Sequence, residues 1–188
     1  MPPKAKITKE MIVDTAFSIA QNEGIEKVTA RSISEALKCS TQPILYYCSS
    51  VIDIKKAVYE KADEYHTNYI MRQETDCKSP LLTIGINYIK FAIEERNLFC
   101  LLFQTNEFSG ACVLDMIKAP ELTPIIDVLQ RELSLSREDA IDAFSTLFIF
   151  AHGYASLYAN NTMVYHEAHV ISALERVFNG AIGGMKGK

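Results

Sequence analysis

The chain has 188 residues, 48% of them hydrophobic and 22% charged, and these proportions exclude an intrinsically disordered protein. Its five cysteines are scattered and never spaced as C-x-x-C, which argues against a disulfide framework or zinc ribbon and favours reduced thiols in the cytoplasm. Residues 1–56 carry eight basic and six acidic side chains, a net charge of +2, whereas the remainder carries eleven basic and seventeen acidic, a net charge of −6. This asymmetry suits a protein that meets phosphate with its N-terminal part.

The first predicted helix extends from Thr8 to Glu23, because its apolar residues recur at three- and four-residue steps. Thr8 is the predicted N-cap, and Gly24 is the predicted stop. The residues before Thr8 lead into a polar helix start rather than an apolar run, so no secretory signal is expected.

Two shorter helices are predicted next. The second begins at Thr29, whose hydroxyl can accept a hydrogen bond from an unpaired backbone amide, and continues to Leu37. After a short turn, Ser40 is expected to cap a third helix that has Gln42 and Pro43 in its first turn, where proline's missing N–H costs nothing. Ile44, Leu45 and Tyr47 are expected to supply the apolar contacts of this helix. Two short helices joined by a tight turn and braced by a longer helix form a helix-turn-helix.

The rest of the chain also has a helical pattern. One long helix is predicted from Val51 to about Glu74, and Ser79 and Pro80 are expected to cap and open a helix that ends near Glu95. Further helices are predicted at 97–106, 111–118, 121–134, 137–160 and 164–182. The predicted fold is therefore all-α, with a helix-turn-helix domain over residues 1–50 and a helical domain over residues 51–188.

Two segments suggest other functions. Residues 143–166 carry no formal charge, but Ser145, Asn160 and the lack of a flanking basic cluster argue against a membrane span. His166 and His169 flank a glutamate as in zinc proteases, yet they are three residues apart rather than the four that place both rings on one helix face. The sequence contains no nucleophile elbow, no phosphate-binding glycine loop and no convincing paired-carboxylate site, so we expect no enzyme, no metal and no cofactor.

Several features occur in a fixed order between residues 24 and 47. Gly24 is followed five residues later by Thr29 and two further on by Arg31, and a tight turn after Leu37 leads into a short aromatic helix over Cys39–Tyr47. In this order they resemble the DNA-binding head of the TetR family of transcriptional regulators, over about residues 8–58. The resemblance implies a homodimeric, ligand-responsive regulator, expected to be a repressor that binds a palindromic site in double-stranded DNA.

The resemblance also implies DNA-contacting residues. Hydroxyl and guanidinium donors suit phosphate oxygens, whereas Gln can pair with adenine and the proline ring can pack on a thymine methyl. On this basis Thr41, Gln42 and Pro43 are expected to face bases. The full expected set is Thr29, Arg31, Lys38, Ser40, Thr41, Gln42, Pro43, Tyr46, Tyr47 and Lys55. For Tyr47, packing against the first helix is the alternative.

Four positions depart from the family pattern. Lys38 stands where the turn often has glycine, Leu45 where tyrosine is common, Cys48 where phenylalanine is common, and Val51 where a lysine often meets phosphate. Lys38 can adopt the left-handed conformation or touch phosphate itself, and Lys55 or the N-terminal lysines can replace the lost cation. The departures also allow an alternative, a helical ligand-binding or adaptor protein with a degenerate head.

The C-terminal body is expected to dimerise through helices 137–160 and 164–182, as family members do. A pocket among the middle helices is expected to bind a largely apolar small molecule. The candidate lining is Tyr88, Phe91, Phe99, Phe103, Phe108, Met116, Phe144, Phe148 and His152. The alternative for each of these residues is ordinary core packing, and His152 requires a hydrogen-bond partner if it is buried.

Overall fold

The structure of the protein is a computed structural model that describes residues 7–72, 79–104 and 122–186. Within these ranges the chain forms nine α-helices and no strand, so the all-α prediction is confirmed. The helices are α1 (Lys9–Glu23), α2 (Ala30–Ala36), α3 (Gln42–Tyr47), α4 (Val51–Ile70), α5 (Pro80–Glu94), α6 (Arg96–Phe103), α7 (Thr123–Leu133), α8 (Arg137–Asn160) and α9 (Glu167–Lys186). A short 3-10 turn, Ile25–Lys27, follows α1.

The contacts divide the described residues into two compact units. The first comprises the residues up to Thr67 together with those from Glu95 to Gln104, and the second comprises Asn68–Glu94 and the residues from Leu122 onward. The first unit thus extends beyond residue 50 and includes α6, which comes from much later in the chain. The predicted domain boundary at residue 50 stays a prediction.

Local capping defines the first two helices. Thr8 caps α1, since its side chain accepts a hydrogen bond from the Met11 amide at 3.2 Å, and Gly24 ends the helix with φ 94°. Thr29 caps α2 in a capping box, because its hydroxyl accepts from the Ser32 amide and the Ser32 hydroxyl accepts from the Thr29 amide, both at 3.0 Å. The predicted starts of both helices are confirmed.

The turn between α2 and α3 depends on one left-handed residue. Lys38 has φ 52°, and the next amide, that of Cys39, donates to the Ser34 carbonyl at 3.0 Å. The prediction that Ser40 caps α3 is wrong, because the N-cap is Thr41, which already has helical angles and makes no side-chain cap. Pro43 lies in the first turn as predicted.

Apolar side chains from five helices and from Val28 form the core of the first unit. Burying each of the larger ones removes apolar surface from water and contributes roughly 1.5–3 kcal/mol. The residues with no accessible surface are Ile12, Ala16, Val28, Ile33, Ile44, Val58, Ala62, Leu98 and Phe99. Lys61 of α4 also forms an ion pair with Asp14 of α1. This core fixes the orientation of α3, through Ile44, within the unit.

In the second unit, α5 packs along α8, and α8 packs along α9. Gly85 of α5 lies close to Leu174 of α9, since a Cβ built at Gly85 would be 3.7 Å from a Leu174 methyl. The buried Asn87 side chain donates to the carbonyls of Ile70 and Arg72, at 3.1 and 2.8 Å. This amide satisfies carbonyls at the end of α4, which ends at Ile70 rather than near Glu74 as predicted.

The later helices begin and end near their predicted positions. Helix α8 has the predicted bounds, α6 ends at Phe103, and α9 begins at Glu167 rather than at 164. The predicted helix 111–118 lies outside the described residues. None of the helices within the described ranges combines the length and the apolar character that crossing a bilayer requires.

Candidate nucleic-acid interface

The solvent-facing side of α3 is uncharged. Gln42, Leu45 and Tyr46, which are three and four residues apart and so share one helix face, are all exposed, with 82% of Tyr46 accessible to solvent. On the opposite side Ile44 and Cys48 are buried in the core of the first unit. Burial of these two residues therefore determines which side chains α3 presents to a partner.

An open groove runs along this face and the preceding turn. Six residues of the expected DNA-binding set line it, namely Lys38, Ser40, Gln42, Pro43, Tyr46 and Tyr47. Leu45 lines the same groove. The prediction that Leu45 packs inward together with Ile44 is wrong, because Leu45 is exposed. The fold thus brings the turn and α3 together into one continuous surface.

Thr29 and Arg31, expected to hold phosphate, have partners inside the head. The Thr29 hydroxyl is engaged with Ser32 in the capping box of α2. The Arg31 Nε atom donates to the Glu35 carboxylate at 2.8 Å, and this hydrogen bond raises the pKa of Arg31 above its usual value. Both side chains of this pair are largely exposed, so water screens the attraction and a phosphate could replace Glu35.

Helix α4 begins at Val51, where the family often has a lysine, and its first turn contains an acidic residue, Asp53. The Ser50 hydroxyl accepts from the Asp53 amide at 3.1 Å and donates to the Asp53 carboxylate at 2.9 Å. Lys55, the proposed replacement cation, lies 3.5 Å from Glu26. Arg31 and Lys55 are both paired with acidic side chains, so fewer basic side chains are available to phosphate than the net charge of residues 1–56 suggests.

The two tyrosines at the end of α3 differ in their surroundings. Their rings contact each other edge to face, with centroids 5.1 Å apart. Tyr46 is almost fully exposed, whereas Tyr47 is half-buried. Tyr46 is thus the more accessible hydroxyl for a phosphate, and packing and phosphate contact both stay open for Tyr47.

A carboxylate-centred network joins three elements of the first unit. The Gln21 side-chain amide of α1 donates to both oxygens of Glu95 at 2.9 Å, and the Tyr65 hydroxyl of α4 donates to one of them at 2.8 Å. The Asn97 side chain of α6 donates to the backbone carbonyl of Gln21 at 2.9 Å. Sequence reasoning missed this network because its members are up to 76 residues apart and match no motif.

In the second unit, four of the expected pocket residues lie together. The Tyr88 hydroxyl is 2.8 Å from His152 Nδ1, and the Phe148 ring stacks on the rings of Phe144 and His152. Ser156 lies 3.3 Å from the other ring nitrogen of His152. Burial raises the pKa of Tyr88 and lowers that of His152, which favours the neutral form of both groups.

The other expected pocket residues lie elsewhere. Phe91 contacts Tyr69 edge to face in the second unit, whereas Phe99 and Phe103 contact each other in the first unit, where Phe103 also contacts His66. Phe108 and Met116 lie outside the described residues. The seven described candidates are thus divided between the two units instead of forming one set, and the ligand pocket stays a prediction.

The outer face of α8 and the segment after it expose large apolar side chains. Ile149 and Leu157 are 56% and 52% exposed, and Met163 and Val164 are 53% and 74% exposed. The residues on the inner side of α8 include the buried Ala151 and Ala155. Among the described side chains, no three His, Cys, Asp or Glu residues cluster as a metal site would require.

Comparison with known proteins adds no assignment. No protein-family model matches the chain, and no curated protein matches its sequence.

Proposed function

We propose that the protein is a DNA-binding transcriptional regulator of the TetR type, a homodimer that acts in the cytoplasm and represses transcription from a palindromic operator. The observation that carries this proposal is the exposed face of α3 behind a left-handed turn at Lys38. Two short helices joined by such a turn can present the second helix to the major groove of B-DNA.

Base contacts are assigned to the beginning of α3. Thr41 and Gln42 are both exposed, and the Gln42 amide can donate to and accept from an adenine edge. Pro43 adjoins them and can pack on a thymine methyl. Phosphate contacts are assigned to the remaining members of the set, which are Thr29, Arg31, Lys38, Ser40, Tyr46, Tyr47 and Lys55.

Dimerisation is assigned to α8 and α9. The exposed Ile149 and Leu157 lie eight residues apart on one face of α8, with no charged residue between them. Covering this face with a second copy removes apolar surface from water in a symmetric interface. The two copies of α3 in the dimer would then lie in successive major grooves, roughly 34–36 Å apart.

Regulation is assigned to a largely apolar ligand that contacts the Tyr88 and His152 cluster. Phe144 and Phe148 supply apolar contact, and the neutral Tyr88 and His152 can exchange their mutual hydrogen bond for one to the ligand. The distance between the two copies of α3 fits the operator in one state of the dimer and not in another. A ligand that binds one of these states more tightly shifts the population toward that state.

The test is selection of binding sites from a pool of random duplex DNA, at two salt concentrations, with the wild type and with the Gln42→Ala/Tyr47→Ala variant. We expect the wild type to enrich a palindrome and the variant to lose it. Affinity should fall with salt, because phosphate contacts release counterions. Absence of enrichment at low salt would reject the regulator.

A second candidate, a helical adaptor with a degenerate head, is favoured by two observations. Arg31 and Lys55 already have acidic partners, and Leu45 and Ile52 are exposed near α3, with 54% and 78% of their surfaces accessible. An adaptor has no phosphate contacts and hence no salt-dependent DNA affinity. The same selection therefore separates the two candidates.

A further inference from the structure

Helix α3, which is proposed to enter the major groove, lacks the residues that most often bind guanine. The commonest specific contact in the major groove is a bidentate hydrogen bond from Arg or Lys to guanine. From Cys39 to Ile52 the chain contains no Arg or Lys, and this segment includes the turn after Lys38, all of α3 and the start of α4. Base recognition by α3 must therefore use amide, hydroxyl and apolar groups.

Leu45 is the large aliphatic side chain on the exposed face of α3. It follows Gln42 by three residues, so both project from the same side, and both line the groove. Leu45 is 54% exposed, whereas the adjacent Ile44 is fully buried. More than half of the surface of Leu45 is therefore available to a partner.

We infer that Leu45 is a specificity residue that packs on the C5 methyl group of a thymine. That methyl is the apolar group that the four base pairs present in the major groove. With Gln42 pairing to adenine beside it, α3 reads A·T pairs at adjacent positions of each half-site. This inference rests on the proposed function, because it requires that α3 enter the major groove.

The test begins with the operator obtained by selection. Each thymine in a half-site is replaced by deoxyuridine, which removes the methyl and leaves the Watson–Crick edge intact. Losing one buried methyl should weaken wild-type binding about fourfold at the contacted position. Leu45→Ala should be insensitive to the same replacement, whereas Leu45→Met, which keeps the apolar contact, should stay sensitive.

Thermal unfolding of both variants, compared with wild type, verifies that the head stays folded. If a palindrome is enriched but no thymine replacement distinguishes wild type from Leu45→Ala, the inference fails and the regulator stands. An operator whose α3 positions are all G·C would overturn it in the same way. If no DNA is enriched at low salt, both the inference and the proposed function fail.

Discussion

At the scale of single residues, the left-handed conformation of Lys38 is the clearest departure from what its side chain prefers. A non-glycine residue in this region pays roughly 1–2 kcal/mol because its Cβ approaches the following carbonyl. The Cys39 amide nevertheless reaches the Ser34 carbonyl only if the chain turns at this point. The head therefore retains a lysine where glycine would fit with less strain.

We predict that Lys38→Gly raises the free energy of unfolding by roughly 0.5–1 kcal/mol, because relief of strain outweighs the greater freedom of glycine in the unfolded chain. Urea denaturation measures this change. The same substitution at Lys56, exposed in the regular helix α4, is the control and should destabilise by about 1 kcal/mol. Equal destabilisation at both sites would contradict the prediction.

His66 gives the first unit a pH-dependent stability. Burial lowers its pKa from 6.5 to about 4, so the folded protein resists protonation that the unfolded chain accepts. The contribution of His66 is complete above pH 6.5 and is lost as the pH falls toward 4. We predict a loss of about 3 kcal/mol across this window, measured by urea denaturation at several pH values.

The His66→Gln variant removes the titrating group and should flatten this pH dependence. Thr67→Gln, at the adjacent exposed position of α4, changes no titrating group, so it is the control and should leave the slope of the wild type unchanged. If His66→Gln and wild type lose stability in parallel between pH 6.5 and 4, protonation of His66 does not cause the loss.

At the scale of helices, Glu95 connects α1, α4 and α6 through hydrogen bonds from Gln21 and Tyr65. A hydrogen bond to a charged group contributes roughly 1.5–3 kcal/mol, so we predict that Glu95→Ala destabilises the protein by about 2 kcal/mol. In a double-mutant cycle with Gln21→Ala, the coupling energy should be about 1 kcal/mol. Glu64→Ala, at an exposed position of α4, is the control. Additive single-variant effects would show that Gln21 and Glu95 do not cooperate.

The Arg31–Glu35 pair within α2 offers a test of the phosphate assignment. If Arg31 contacts DNA, Glu35 competes with phosphate for the guanidinium and repels the backbone. We predict that Glu35→Gln strengthens operator binding at low salt by roughly threefold to tenfold. Binding titrations across a salt series measure this effect, with Glu60→Gln of α4 as the control. Weaker binding by Glu35→Gln would mean that the acid instead positions Arg31.

At the scale of the whole molecule, the exposed apolar face of α8 predicts the assembly. Leu157→Asp places two like charges near the two-fold axis of the proposed dimer and should raise its dissociation constant at least roughly a hundredfold. Sedimentation equilibrium measures this change. Met71→Asp is a matched control, since Met71 is 53% exposed and Leu157 is 52% exposed. If Leu157→Asp stays as dimeric as the control, another face forms the interface.

The sequence by itself determined the features that depend on neighbouring residues. Thr8 and Thr29 act as caps because a side-chain oxygen reaches an amide three residues away, and Pro80 opens α5 because its fixed φ suits a first turn. The bounds of α8 followed from the same short-range rules. The apolar pattern of α3 correctly predicted that Ile44 packs inward, but it wrongly predicted the same for Leu45, which is 54% exposed.

Only the tertiary structure decided the features that depend on distant partners. The end of α4 at Ile70 is one example: there the side chain of Asn87, from the next helix, donates to the carbonyls of Ile70 and Arg72. The candidate pocket aromatics divide between two units because α6 packs in the first while α5 and α8 pack in the second. The Glu95 network likewise depends on side chains from helices that are distant in the chain. Such contacts leave no periodic trace, because the residues that form them are separated by long stretches of chain.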